Sequence, residues 1–403
     1  MAALLILFFH LWINLFPGNA VEDFIRQTTF VGVDMFFLIA AYSIGKYDVG
    51  YENPGNLKDY FKAVINRSST VYIKYIIFAL VAWIYKNLIW LIFKKPQFIS
   101  YAGTGSFSLI RLIKVVCGVE LFTKGGGAFL WFLPAIIIVY FLLPAYKKVD
   151  IKLTVRGMVD IKQSISKSQP IKQKFSQWGL FAITTILWFI AGVAVSQLTS
   201  YKELFIFWNR IPVILVGYYW GKSEKLIGCC FNGNKYADGL HKNNYNTEES
   251  CEKYNKYRIY PALIFTLVGV VLLYKFGYKP RLQFPIKDLF YVVGIPSTIG
   301  LTLLCGYIPE WKIIKKISSV TLEIYGVQMI FGYDICNWLV NITGIAKKMA
   351  TGATTLELVP DKLVVNIISM TLTVIIAMLF NYLYKYCKNT MSKGLRKLGQ
   401  EKI

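Results

Sequence analysis

The chain holds only two histidines, in opposite settings. His10 is set inside the apolar run Leu4-Leu5-Ile6-Leu7-Phe8-Phe9-His10-Leu11-Trp12, whereas His241 falls in a polar stretch. Imidazole is the side chain whose ordinary pKa suits it to take and return a proton near neutral pH. Inside a membrane-length apolar run it costs free energy unless it has a partner or a chemical task. An ionisable residue there marks a candidate site. The rival reading is a hydrogen-bonded histidine that serves helix packing.

The other charge inside apolar stretches is mainly Asp34, Lys74, Lys86, Glu323 and Asp334. Asp34 could orient the imidazole as a carboxylate partner, or it could be an N-terminal helix acid that meets the dipole; both readings stand. Glu323 would be costly unpaired. Its expected partner is a lysine of the 312–316 segment, so structure and chemistry compete for it. Gln328, a turn or more deeper, can hydrogen-bond a hydroxyl but cannot move a proton at neutral pH. Arg210 stands at the edge of an apolar stretch, where it either binds an anionic group or anchors a helix at the interface. Trp131 could stack on a sugar face, although an interfacial belt is the commoner use of tryptophan.

Membrane helices must position these residues. Of the 403 residues, 55% are hydrophobic and only 17% charged. That composition belongs to integral membrane proteins and leaves little room for a separate soluble domain. About ten apolar spans can be drawn, at 1–16, 28–46, 69–93, 129–146, 177–198, 203–221, 259–276, 288–308, 318–340 and 363–386. The first falls short of the roughly 20 residues that a spanning helix wants, and Phe16-Pro17-Gly18 stops it. It has neither a basic segment before it nor a small-residue cleavage site after it, so it does not read as a signal peptide. The chain is expected to start inside its first helix.

The formal charge of +23 would suggest nucleic acid on a soluble protein. Here Lys and Arg gather in alternate connections, those after the second, fourth, sixth, eighth and tenth spans. The positive-inside rule accounts for that pattern, gives nucleic acid no part in it, and puts both termini in the cytoplasm. The connection 94–128 then faces outward. Within it Phe107 to Val116 predicts an amphipathic or re-entrant helix. Lys124-Gly125-Gly126-Gly127 reads as a hinge, since it lacks Walker spacing. The polar connections 147–176 and 222–258 could meet anionic lipid or the phosphates of a cytosolic cofactor. Seven cysteines show no metal spacing and read as mostly free thiols; the one conceivable metal group, Cys229, Cys230, His241 and Cys251, is not favoured. No internal repeat speaks for an inverted-repeat transporter.

Five stretches resemble acyltransferase family 3, the ten-helix membrane O-acyltransferases that decorate bacterial glycans. Ala2 through Leu11 looks like the family's first helix, with the motif histidine at His10. Gly32-Val33-Asp34-Met35-Phe36-Phe37 is similar to its Gly-Val-Asp-Leu-Phe-Phe run. Leu130-Trp131-Phe132-Leu133, with Tyr140 and Pro144, resembles its Trp-Phe-Leu helix, and Arg210-Ile211-Pro212, with Gly217 and Gly221, its Arg-x-Pro helix. Ser318 through Thr321-Leu322-Glu323-Ile324-Tyr325 resembles its Ser-x-Glu-Ile-Tyr segment. The five follow one another in order over nearly the whole chain. There are departures. The family's arginine upstream of the histidine would precede Met1, and its Ser-Gly pair is Ala40-Ala41. Its Arg-x-x-Arg-x-x-Pro motif survives only as Arg67, flanked by Val64 and Thr70, and Gln328 stands where many members have a histidine.

The resemblance implies an all-α polytopic membrane protein of about ten transmembrane helices with both termini cytoplasmic. On this resemblance residues 1–403 are expected to form a single acyltransferase-3-like transmembrane domain, one expected to lack the start of its first helix. It implies a plasma (inner) membrane, multi-pass O-acyltransferase that moves an acyl group, acetyl above all, from acyl-coenzyme A to a hydroxyl of a surface polysaccharide or lipid-linked glycan. On this reading His10 and Asp34 are catalytic, and Arg210, Trp131, Glu323 and Gln328 bind substrate. Arg67 meets coenzyme A phosphates, unless it is ordinary positive-inside charge. Acetyl-CoA or another acyl-CoA is a co-substrate, with no bound cofactor and no metal; the partners are the glycan and membrane lipids. His10 would lie about midway through the bilayer, reached by donor from inside and glycan from outside. A base and an acyl-carrying nucleophile both remain open for it. The rival functions are a polysaccharide exporter, flippase or polymerase of the cell envelope, and a degenerate family member that scaffolds glycan synthesis.

Overall fold

The computed structural model describes residues 1–15, 28–29, 31–47, 57–93, 108–119, 130–163, 179–191, 207–227, 247–277, 293–309, 311–351 and 357–400. Among these there are helices and turns but no strand. In chain order the helices are α1 (Ala2–Leu15), α2 (Val31–Lys46), α3 (Leu57–Phe93), α4 (Leu109–Val116) and α5 (Phe132–Gln163). Then come α6 (Gly179–Ala191), α7 (Ile211–Ile227) and α8 (Thr247–Leu272), which a π-helical turn, Leu273–Gly277, continues. They are followed by α9 (Ile295–Cys305), α10 (Lys312–Ser318), α11 (Thr321–Val327), a π-helical segment Gln328–Gly332, α12 (Tyr333–Ile342), α13 (Ile345–Ala350) and α14 (Val359–Gln400).

Helix covers part of each of the ten apolar stretches. Three helices contain segments long and apolar enough to cross a membrane, Tyr60–Ile92 in α3, Phe132–Asp150 in α5 and Val359–Thr390 in α14. Their outer faces are apolar too: Leu80, Ile84, Leu88 and Leu91 on α3, and Val364, Ile368, Ile375 and Leu379 on α14, are exposed. In water such faces would be an aggregation liability, and in lipid they cost nothing. Several helices outrun the apolar pattern, α8 from Thr247 and α14 to Gln400 among them. α3 begins at Leu57, ahead of the stretch expected from 69, and α5 runs on to Gln163 through residues expected to form a loop. On α5 the buried carboxylate of Asp150 accepts from Tyr218 at 2.7 Å and pairs with Lys222 at 2.5 Å, which ties the polar extension to α7.

The expected helix in the outward connection is α4. Ser108 caps it, its hydroxyl accepting from the Arg111 amide at 3.2 Å. Leu112 and Val115 face the core, and Leu109, Ile110 and Ile113 face out. The carbonyls of Val115 and Val116 accept from the hydroxyls of Tyr75 and Tyr72, both near the middle of α3. The helix therefore doubles back along α3, and Gly118, at a φ of 68°, turns the chain out of it.

Small residues set the closest helix contact. Gly217 lies against the backbone of Leu38, Gly221 against that of Tyr42, and Gly45 against that of Tyr218, and a methyl group at any of them would overlap main-chain atoms. Gly217-x-x-x-Gly221 is the small-x-x-x-small pattern by which lipid-embedded helices approach closely. It locks α7 alongside α2 and carries Arg210 to Asp34. Three apolar clusters complete the core, the smallest of Ala2, Val31, Met35 and Leu273; the two larger ones join most of the helices. One joins α2, α3, α5 and α7 through residues such as Phe37, Phe78, Leu133 and Tyr218. The other joins α1 to α11, α12 and α14 through Leu7, Leu11, Ile324, Val327, Cys336 and Val365.

Candidate active site

His10 is buried, at 7% exposed. Its Nδ1 lies 3.0 Å from the carbonyl oxygen of Ile6, one turn back on α1, and 2.5 Å from Nε2 of Gln328. A carbonyl oxygen can only accept, so the Ile6 contact puts the proton on Nδ1. The amide of Gln328 then serves best with its oxygen toward the ring, since amide oxygen and nitrogen are interchangeable in shape. The basic lone pair of the imidazole is left on Nε2.

The π-helical segment explains why Gln328 reaches the ring. A π turn inserts an extra residue into a helix and swings its side chains relative to the turns on either side, a device common at functional sites. Here it separates α11 from α12 and directs Gln328, fully buried, at α1. Gly332 gives Leu11 room, for a side chain there would meet Leu11 at 3.3 Å.

Asp34 and Arg210 form a buried ion pair, Nε to Oδ1, at 3.2 Å. Asp34 lies in the first turn of α2. Arg210 closes the turn before α7, its amide donating to the Phe207 carbonyl at 2.9 Å, and Pro212 stands in the first turn of the helix, where a missing N–H costs nothing. The expectation of Arg210 as an interface anchor is corrected: it is 0% exposed. Its guanidinium lies over the ring of half-buried Trp131, 5.2 Å from the centroid, so one indole face is taken and a sugar could stack only on the other. Asp34 thus has Arg210 as its ionic partner, whereas the dyad reading assigned it to the imidazole.

Glu323 is likewise corrected. Lys312, Lys315 and Lys316 are exposed, and the carboxylate pairs instead with Lys74 of α3 at 2.7 Å. Arg67 lies inside α3 instead of at its end, with its guanidinium over the Tyr140 ring, 4.9 Å from the centroid. Phosphate would have to compete with that stacking. Cys117, Cys305, Cys336 and Cys387 are free thiols. Cys229, Cys230, His241, the side chain of Cys251 and the Lys124–Gly127 run lie outside the described residues.

Sequence reasoning gave no role to Lys74, nor to Tyr85, whose hydroxyl donates to Asp334 at 2.6 Å. It also passed over Asn366 and Ser369, both fully buried on α14. Their helical spacing inside an apolar stretch was the available signal.

The chain is a member of acyltransferase family 3: the family's acyltransferase domain matches residues 1–384. No curated protein and no solved structure matches it.

Proposed function

We propose that the protein is a multi-pass plasma-membrane O-acyltransferase, with about ten spans and both termini cytoplasmic, that transfers acetyl from acetyl-CoA to a hydroxyl of a surface polysaccharide or lipid-linked glycan. The observation that carries this reading is the buried His10, whose Nδ1–H donates to the Ile6 carbonyl beside the Gln328 amide. Nε2 takes the acceptor's hydroxyl proton as the hydroxyl oxygen attacks the thioester carbonyl carbon. The tetrahedral intermediate collapses, the C–S bond breaks, and the coenzyme A sulfur receives the proton from Nε2. The groups set around Nδ1 hold the imidazole in the tautomer this needs. Burial keeps water from hydrolysing the thioester. The Asp34–Arg210 pair holds a buried cation, which suits an anionic group of substrate. Family membership favours acyl transfer over export, flipping or polymerisation.

The test is the ester-acetyl content of surface polysaccharide, by NMR, from hosts that carry the intact gene or His10→Ala at equal expression. Loss of the acetyl signal with polymer yield unchanged is the expected result. Collapse of polymer yield would point to export or polymerisation, and an unchanged acetyl signal would make His10 a packing residue.

A further inference from the structure

A buried polar stripe runs along α14. Lys362, Asn366, Ser369 and Thr373 are each at most 1% exposed, in a helix otherwise apolar enough to cross a membrane. Their spacing of four, three and four residues puts them on one face. That face belongs to the protein side, because α14 packs along α1, α11, the π-helical segment and α12. Val365 and Ala377 lie in the same apolar cluster as Leu7, Leu11, Val327 and Cys336. Ser369 lies beside the thiol of Cys336, and that thiol donates to the Leu11 carbonyl at 3.8 Å, one residue on from His10. The hydroxyl of Thr373 is satisfied within its own helix by the Ser369 carbonyl at 2.7 Å. Among the described residues, however, neither amide atom of Asn366 has a hydrogen-bond partner.

We propose that this face of α14 binds the sugar acceptor, with Asn366 and Ser369 holding ring hydroxyls on the way to the His10–Gln328 pair. An amide presents a donor and an acceptor side by side, which matches two neighbouring hydroxyls of a sugar. An interior that leaves an amide unmatched is less stable than the same interior lined by Leu, and a polyol that fills it restores the missing hydrogen bonds. α14 begins at Val359, on the side that the positive-inside reading places outside. The stripe therefore leads from the acceptor's side toward the imidazole. The inference rests on the acyl-transfer reading for the identity of the acceptor.

The acceptor probe is the host's surface polysaccharide, freed of esters by mild alkali and cut to short oligosaccharides. Acetyl transfer from labelled acetyl-CoA is followed in nanodiscs for the intact chain, Asn366→Leu, Asn366→Gln and Ser369→Ala. Thermal midpoints are measured with and without oligosaccharide, in the absence of donor. Asn366→Leu is expected to raise the oligosaccharide KM about tenfold or more, with the KM for acetyl-CoA unchanged. Its midpoint without ligand holds or rises, because an unmatched amide is gone. Asn366→Gln recovers part of the affinity, and Ser369→Ala shows a smaller rise in KM and carries the comparison should the leucine variant not fold. A lower unliganded midpoint with an unmoved acceptor KM would make Asn366 a structural residue and overturn the proposal. If the intact chain is inactive yet stabilised by oligosaccharide, and Asn366→Leu is not, the binding face stands and the acyl-transfer reading falls. If the intact chain is active and the variants are stabilised as it is, the binding face alone falls.

Discussion

Gln328 and His10, far apart in the chain, meet in the interior with Nε2 of the amide 2.5 Å from Nδ1 of the imidazole. The Ile6 carbonyl lies 3.0 Å from the same ring nitrogen. Two neutral groups thus bracket Nδ1, which fixes a tautomer without a carboxylate. A carboxylate partner would stabilise an imidazolium, whereas an amide steadies the ring and leaves its charge to the reaction.

Gln328→Leu removes that steadying group without adding bulk or charge. The expected outcome is a fall in kcat of about tenfold to a hundredfold, within the range of positioned acid–base catalysis, with less change in the KM for acetyl-CoA. Initial rates of labelled acetyl transfer in membranes, normalised to protein amount, measure it. Rates equal to those of the intact chain would show that Ile6 alone is enough to set the ring.

The Asp34–Arg210 pair is fully enclosed, so its members depend on each other. Removing one buried partner costs about 3–5 kcal/mol, because the other charge is left unmatched. Asp34→Ala and Arg210→Ala are each expected to lower the thermal midpoint in detergent strongly. The double variant should be less damaging than the sum of the two, as a double-mutant cycle would read. Additive losses would mean that the two charges do not depend on each other.

Lys74 and Glu323 differ from that pair in one respect: the lysine side chain is 15% exposed and the carboxylate 2%. Glu323→Leu alone leaves a cation at the edge of the interior, and Lys74→Met alone leaves a buried anion, so Lys74→Met is the more destabilising single change. The double change Lys74→Met with Glu323→Leu is expected to restore the unfolding free energy to within about 1 kcal/mol of the intact chain or to raise it. Transfer activity then separates structure from chemistry. Activity retained in the stable double variant makes the pair structural, and activity lost makes it part of substrate binding.

The approach of α2 to α7 leaves no room at Gly217 and Gly221. Gly221→Leu is expected to separate the helices, at an overpacking cost of about 1–3 kcal/mol or more, and to draw Arg210 away from Asp34. Fluorescence-detected size exclusion should show a smaller folded fraction, and acetyl transfer per folded molecule should fall as well. Normal activity in the folded fraction would mean that the ion pair forms without this contact.

The amino-acid sequence by itself determined the membrane character, the helices and the family. Apolar runs separated by Gly, Pro and Lys specify helices locally, and a solitary imidazole in such a run marks itself. Asp34, Arg210 and Glu323 were legible as candidates for the same reason, since charge among apolar neighbours is conspicuous. Their partners were not. Glu323 has lysines close by in the chain at 312–316, yet those side chains stay exposed while Lys74 of a different helix reaches it. Arg210 looked like an interfacial residue until the Gly217 and Gly221 contacts brought it under Trp131 and against Asp34. The π turn that aims Gln328 at His10 has no signature in composition or periodicity. Helix formation depends on neighbours within a turn or two, whereas the pairing of charges depends on how whole helices pack, and packing is decided by distant small residues and shape. Local chemistry therefore named the residues, and only the tertiary structure decided which of them meet.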